Sequence, residues 1–244
     1  YNCEHSIFKS IGYTLRNVYA RWTKAYLRNV DMFACITEFQ KKKLIEAGYD
    51  KNKITVIPNS IDAPCSYTPT SGEYIAYIGR LSYEKGYDLL VEVARKHPEI
   101  KFRFAGAQRE QKNTDIPSNV EFAGYLQKDK LLEFIQKARF IVIPSRCYEG
   151  FPMAILEAAC HGKPAIASNH GGFTEIIGQG ENAIGKLFEP GNTDDLDKQI
   201  AELWNNQTLT EELGEKAFRK LKKHYDSEVV YKQWETLFSK LKNS

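Results

Sequence analysis

Apolar side chains at the start of the chain recur at helical spacing. Ile7, Ile11, Leu15, Val18, Trp22 and Tyr26 fall three or four positions apart, which predicts one long amphipathic helix over residues 6–29. The pattern then shortens. MFACI (32–36) predicts a strand, Thr37 a cap for a helix over 38–47 that ends at Gly48, and KITVIPN (53–59) a second strand. SIDAPCSYTPTSG (60–72), interrupted by Pro64, Pro69 and Gly72, carries no period and marks a domain boundary.

After the boundary, strands and helices alternate. Strands are predicted over 74–79 (YIAYIG), 101–106 (KFRFAG), 120–124 (VEFAG), 140–145 (FIVIPS) and 164–168 (PAIAS). Helices are predicted over 86–96, 128–138 and 152–161. The unbroken apolar run FIVIP suits a strand buried on both faces, so the segment predicts a parallel sheet with helices on each side. The fold class is α/β, a Rossmann-like doubly wound parallel sheet with flanking helices. The remainder reads as a short helix near 173–177, a strand GKLFE (185–189) and helices over 193–206, 210–224 and 227–241. There is no internal repeat and no low-complexity segment.

Composition narrows the class. With 42% hydrophobic and 27% charged residues the chain is globular, and no apolar run approaches the roughly 20 residues of a membrane span. The net charge of +3 is too small to imply nucleic acid. Ten basic residues against five acidic ones through residue 60 nevertheless make the first quarter basic, which suits a solvated helix face or contact with an anionic membrane surface or phosphorylated acceptor. Five scattered cysteines without a C-x2-C pair imply a reducing, cytoplasmic setting, at the inner face of a membrane if the basic segment works there. The chain opens on Tyr1 and carries no secretory signal, so it is expected to be a piece of a longer protein.

In an open parallel sheet the ligand crevice lies at the carboxyl ends of the strands. Two loops leave that edge with unusual chemistry. Strand 74–79 ends at Gly79 and runs into Arg80 and Lys85; strand 140–145 runs into Glu149, Gly150, Phe151, Pro152 and Met153, with Pro152 expected at the first helical position. A guanidinium, an ammonium and the free N–H groups of a helix start suit a diphosphate. Glu149 would repel phosphate, so its carboxylate is better explained by accepting hydrogen bonds from sugar hydroxyls. Glu157, farther down the same helix, is placed to meet a ribose.

These residues carry a family resemblance. IPNSID, YIGRLSYEKG, SRCYEGFPMAILEAACHGKPAIAS and GGFTEII, in this order, resemble retaining glycosyltransferases of family 4, which have the GT-B fold; the match covers roughly residues 30–225. Glu149 and Glu157 stand at that family's E-x7-E spacing. The resemblance implies a nucleotide-diphosphate sugar donor, with Arg80 and Lys85 on the diphosphate, Glu149 on the donor hexose, Glu157 on the ribose, and backbone near Gly124 and Tyr125 by the base. It implies transfer of a hexosyl group to a hydroxyl acceptor, a saccharide or lipid-linked saccharide, with retention and without a metal or other cofactor. Arg80, Lys85 and Glu149 are then the catalytic candidates. Residues 1–60 would be the end of an acceptor-binding domain, 61–225 the donor-binding domain and 226–244 a helix returning to the first. The family's PNG is here Asn59–Ser60, a change confined to one turn. From other classes, a sugar-nucleotide-binding module without catalysis and a related GT-B epimerase remain alternatives; a phosphorylase would need a lysine-bound pyridoxal phosphate, for which no signal stands in the chain.

Several motifs point elsewhere. GQGENA (178–183) matches a dinucleotide pattern but follows a helix and precedes a strand, so it reads as a turn. Asp195 and Asp197 resemble a metal-binding triplet, yet they sit inside a helix expected to be capped by Thr193, where the dipole favours acids. NQT (206–208) is a glycosylation sequon only in a secreted protein. His161 is explained by a helix C-terminus, while His170, beside Gly171 and Gly172, is a neighbour of the crevice.

Overall fold

The computed structural model describes residues 7–108 and 115–242. The first predicted helix is two: α1 (Ile7–Thr23) and α2 (Ala25–Asn29). The break is at Lys24, whose φ of 51° is left-handed and cannot continue a helix. Ser6 lies outside the described residues, as does the side chain of Tyr26. The apolar stripe is real but open: Ile11, Leu15, Val18 and Trp22 are all exposed, Trp22 at 82%.

A small parallel pair follows, β1 (Phe33–Cys35) with β2 (Ile54–Val56), shorter than the strands the pattern predicts. Between them α3 (Glu38–Glu46) starts where expected, because the Thr37 hydroxyl accepts the Gln40 N–H and satisfies one orphan donor of the first turn.

The remaining elements alternate as predicted. They are β3 (Tyr74–Ile78), α4 (Tyr87–Lys96), β4 (Phe102–Ala105), β5 (Val120–Gly124), α5 (Asp129–Gln136), β6 (Ala138–Ile143), α6 (Met153–Ala159), β7 (Ala165–Ser168), α7 (Gly172–Ile177), β8 (Gly185–Phe188), α8 (Thr193–Asn205), α9 (Gln207–His224) and α10 (Ser227–Lys242). Six strands form one parallel sheet in the order β5-β4-β3-β6-β7-β8. Its two faces bury separate cores. Tyr74, Ala76, Ile141 and Ile143 face Ile155, Leu156, Phe173 and Ile176; Ile75, Tyr77, Phe140 and Val142 face Leu90, Val93, Leu196 and Ile200. Each large aliphatic or Phe side chain among them contributes about 1.5–3 kcal/mol by leaving water, which is why β3 and the 140–143 run of β6 are apolar at every position.

Three local starts differ from the sequence expectation. Pro152 is the residue before α6, with ψ at 101°, so the helix begins at Met153; the chain must turn out of the loop before it can coil. Asn192, not Thr193, caps α8, its side chain accepting from the N–H groups of Asp194 and Asp195. Gly86 lies outside α4 in the left-handed region, preceded by a single 3-10 turn over Tyr83–Lys85.

The boundary segment is anchored rather than free. The Lys163 ammonium is buried and donates to the carbonyl (2.9 Å) and hydroxyl (2.7 Å) of Thr70, and Tyr67 packs on Phe218 with ring centroids 4.9 Å apart. Burial without a carboxylate partner pulls the Lys163 pKa down to about 8. Ile61 pairs with the turn before α10, accepting from Ser227 N–H and donating to the Tyr225 carbonyl.

Helix α9 crosses the end of α6 at Gly214, where an added Cβ would stand 1.9 Å from the Gly162 carbonyl oxygen. Helix propensity alone favours alanine over glycine there by about 1 kcal/mol. The clash with main chain outweighs it. Gly214→Ala is expected to cost about 2 kcal/mol or more, a fall of several degrees in Tm; a gain in stability on chemical denaturation would contradict this packing.

Candidate donor site

The loops after β3 and β6 meet because these strands are neighbours. Glu84 joins them: its main-chain carbonyl accepts the N–H of Arg146 (2.9 Å) and of Cys147 (3.3 Å), and the Ser145 hydroxyl lies 3.3 Å away. Arg146 braces the same junction from outside. Its guanidinium forks onto both carboxylate oxygens of Asp88 at 2.7 Å, donates to the Tyr83 carbonyl and lies 4.0 Å from the centre of the Tyr83 ring. The main-chain and side-chain bonds together hold two loops separated by about sixty residues in one register.

A third loop closes on the second. The Gly172 N–H donates to the Glu149 carbonyl at 2.9 Å. A Cβ at Gly172 would fall 2.3 Å from the Gly150 carbonyl oxygen, so only glycine allows this approach. His170 donates from Nε2 to the Ser145 carbonyl at 3.0 Å, because a carbonyl can only accept. Its ring stands edge-on between Tyr148 and Phe173, and its buried Nδ1 has no hydrogen-bond partner among the described residues.

A cleft of about 660 Å³ opens at this edge of the sheet. Gly79, Arg80, Tyr125 and Glu157 line it, together with Gly106 and Lys128. The other predicted residues fall elsewhere. Lys85 and Glu149 form an ion pair with each other, with side chains 19% and 22% exposed. Phe151 is buried with its ring 5.5 Å from that of Tyr225, and Pro152 is buried beside it, so these two shape the loop. Met153 faces a different groove, of about 910 Å³, between Ile57, Pro58 and the α10 residues Tyr231 and Trp234. That groove is larger, but its charged lining is Lys232 with Glu228 and Glu235, an ill-suited set for a polyanion. The smaller cleft is the better candidate on chemistry. Helix α6 has only seven residues, so its dipole is short and the cations carry more of any phosphate binding than the sequence suggests.

Glu157 is half-buried and has no hydrogen-bond or ion-pair partner among the described residues; burial raises its carboxyl above the usual range. Arg80 instead has a partner on its own loop, Glu84, at 3.3 Å. The decoy acids are engaged structurally: Asp195 accepts the Glu189 N–H, and Asp197 pairs with His97 and Lys96. The segment 178–183 contains a 3-10 turn, as its context predicts. Sequence reading missed Glu84, Ser145, Arg146 and Asp88 as the framework of the site. Their roles rest on contacts across the fold, for which only the shared loops give a signal.

Residues 66–220 match the family described as glycosyl transferases group 1, and residues 3–63 match glycosyltransferase family 4. The chain belongs to the glycosyl transferases group 1 family, and its sheet is the Rossmann-like half of a GT-B fold. It is 32% identical over 193 residues to an uncharacterized glycosyltransferase of Methanocaldococcus jannaschii, covering 77% of this chain and 53% of that protein. It is 29% identical over 203 residues to mannosylfructose-phosphate synthase of Agrobacterium fabrum, covering 69% and 44%. The chain thus spans about half the length of these curated relatives. Among solved structures, HepE of Anabaena in complex with UDP superposes with a TM-score of 0.78 at 19% identity, over 88% of this chain and 65% of that one. Sucrose-phosphate synthase of Thermosynechococcus elongatus superposes with a TM-score of 0.76 at 22% identity, over 90% and 60%. Among the described residues no helix is long and apolar enough to cross a membrane.

The raised carboxyl of Glu157 gives a pH signature. The folded chain binds this proton more tightly than the unfolded one, so stability falls as pH rises through the folded pKa and recovers below the unfolded value. Removing the charge should therefore stabilise the protein at neutral and basic pH. Glu157→Gln is expected to raise Tm by about 2 °C at about pH 8, with the difference vanishing near about pH 4. A variant no more stable than wild type at the higher pH would contradict the burial of an unpartnered carboxylate.

Proposed function

We propose that the cleft binds a nucleotide-diphosphate sugar and that the protein transfers its hexosyl group to a hydroxyl acceptor, a saccharide or lipid-linked saccharide, with retention and without a metal. The observation that carries this reading is the arrangement at one sheet edge of a group 1 glycosyltransferase: Arg80 on its loop and Glu157 on α6 line the cleft, and the Lys85–Glu149 ion pair sits on the adjoining clamped loops. Support comes also from the solved neighbour that holds UDP and from the relative named as a synthase.

The chemistry follows from charge. As the bond from the anomeric carbon to the diphosphate oxygen breaks, negative charge grows on the departing group. Arg80 and Lys85, held by their loops, stabilise that charge without reorganisation. Glu157, desolvated and without a partner, gains by accepting the ribose hydroxyls, and Glu149 accepts from the hexose. In a retaining transfer the acceptor oxygen bonds to the anomeric carbon on the face the diphosphate leaves, and the acceptor proton passes to the departing phosphate oxygen. Gly79 and Tyr125, which line the cleft, contribute main-chain surface close to the donor, and Gly150 shapes the loop behind Glu149. The basic first quarter suits an acceptor presented at an anionic surface.

Calorimetric titration with uridine, guanosine and adenosine diphosphates tests the donor site. At least one is expected to bind, and Arg80→Ala or Lys85→Ala to weaken that binding by about ten- to a hundredfold, the value of a charge-assisted hydrogen bond. Unchanged affinity in both variants would remove the diphosphate assignment.

A further inference from the structure

The cations assigned to the diphosphate are not waiting bare in the cleft. Lys85 is paired with Glu149 and Arg80 with Glu84, so the four side chains sum to no net charge before a ligand arrives. A nucleoside diphosphate brings several negative charges to this neutral quartet. It competes for Arg80 and Lys85 with Glu84 and Glu149.

Resting on the donor-site reading above, we propose that Glu84 and Glu149 are internal counter-ions of the diphosphate cations: donor binding exchanges both ion pairs, and Glu84 limits how tightly the departing nucleoside diphosphate is held. The exchange couples the two ends of the donor. Lys85 and, at 3.4 Å, the Ser145 hydroxyl both engage Oε1 of Glu149, so while the pair stands that oxygen is taken and its charge is largely neutralised, which weakens it as an acceptor for sugar hydroxyls. When the diphosphate draws Lys85 away, Glu149 is freed to accept from the hexose. After transfer the hexose is gone, Glu149 loses its hydroxyl partners, and it reclaims Lys85. Release of the nucleoside diphosphate is thereby favoured at the step where many enzymes are slow.

Glu84 is suited to this part. Its main-chain carbonyl ties the two loops together and stays fixed, while its carboxylate reaches Arg80 from the adjacent turn. Its carboxyl is held below the usual range by its own main-chain N–H and by Arg80 and Lys85 beside it, so it is a full anion at neutral pH. The two pairs differ in weight. Arg80 and Glu84 are 41% and 44% exposed, a setting in which an ion pair is weak and easily traded. Lys85 and Glu149 are more enclosed, so loss of the carboxylate there leaves a charge poorly compensated and puts folding at risk.

Glu84→Gln is therefore the decisive variant, since it keeps the side-chain length and the main-chain carbonyl and removes only the counter-charge. Titration of the chain with uridine and guanosine diphosphates is expected to show about two- to tenfold tighter binding than wild type, the range of an exposed ion pair, and a steeper loss of affinity with added salt because more net positive charge meets the ligand. Glu149→Gln, if folded by circular dichroism, is expected to tighten the same ligands by a larger factor. Wild-type binding with equal or weaker binding by Glu84→Gln overturns the counter-ion proposal and leaves the donor site standing. Failure of the wild type to bind uridine, guanosine or adenosine diphosphate overturns the donor-site reading and this proposal with it.

Discussion

The pairing of β3 with β6 is the constraint on which the site depends. These strands are neighbours in the sheet but far apart in the chain, and the direction in which the sheet grows reverses between them. A crevice opens at such a reversal because the crossovers on either side depart to opposite faces. The loops carrying Arg80 and Lys85 on one side and Glu149 on the other leave from this point. Glu84 and Arg146 then bind one loop to the other with main-chain and forked side-chain bonds, so the charged groups sit on a braced frame.

Around that frame the elements divide the work. Both faces of β3 and β6 are sealed by apolar side chains, which places rigid backbone directly beneath the loops. Gly172 lets the loop after β7 close against Glu149, and His170 ties that loop to the Ser145 carbonyl. The result is a site built from three loops whose positions are set by strand ends. The charges themselves are nearly balanced within the protein, and of the four candidate groups Glu157 alone has no partner among the described residues.

Much of this was legible in the sequence, for reasons that particular residues make plain. The strands were found because FIVIP and YIAYIG are apolar at every position, a pattern that only burial on both faces explains. Arg80, Lys85 and Glu149 were singled out because they stand where a strand gives way to a helix, and Glu157 because it lies farther down the same helix; the order of motifs supplied the family. The pairing between Lys85 and Glu149 was not legible, because nothing in either loop states which charge faces which. Nor was the Arg146 fork, whose partner Asp88 lies on another helix. Local periodicity also overran the break at Lys24 and misplaced the caps at Pro152 and Asn192, since a cap depends on one residue's backbone angles rather than on the pattern around it.

The sheet order has a further consequence for how the protein comes into being. Tyr74 pairs with Ala138, the widest span along the chain of any pairing in the six-stranded sheet, whereas β3-β4-β5 and β6-β7-β8 each join strands that follow one another. Each half can gather by short loop closures, and the central seam carries the largest entropic cost. During synthesis the first half emerges long before its partner. The cleft at the β3–β6 edge is therefore absent from every partly made chain and arises only when the two halves of the sheet zip together.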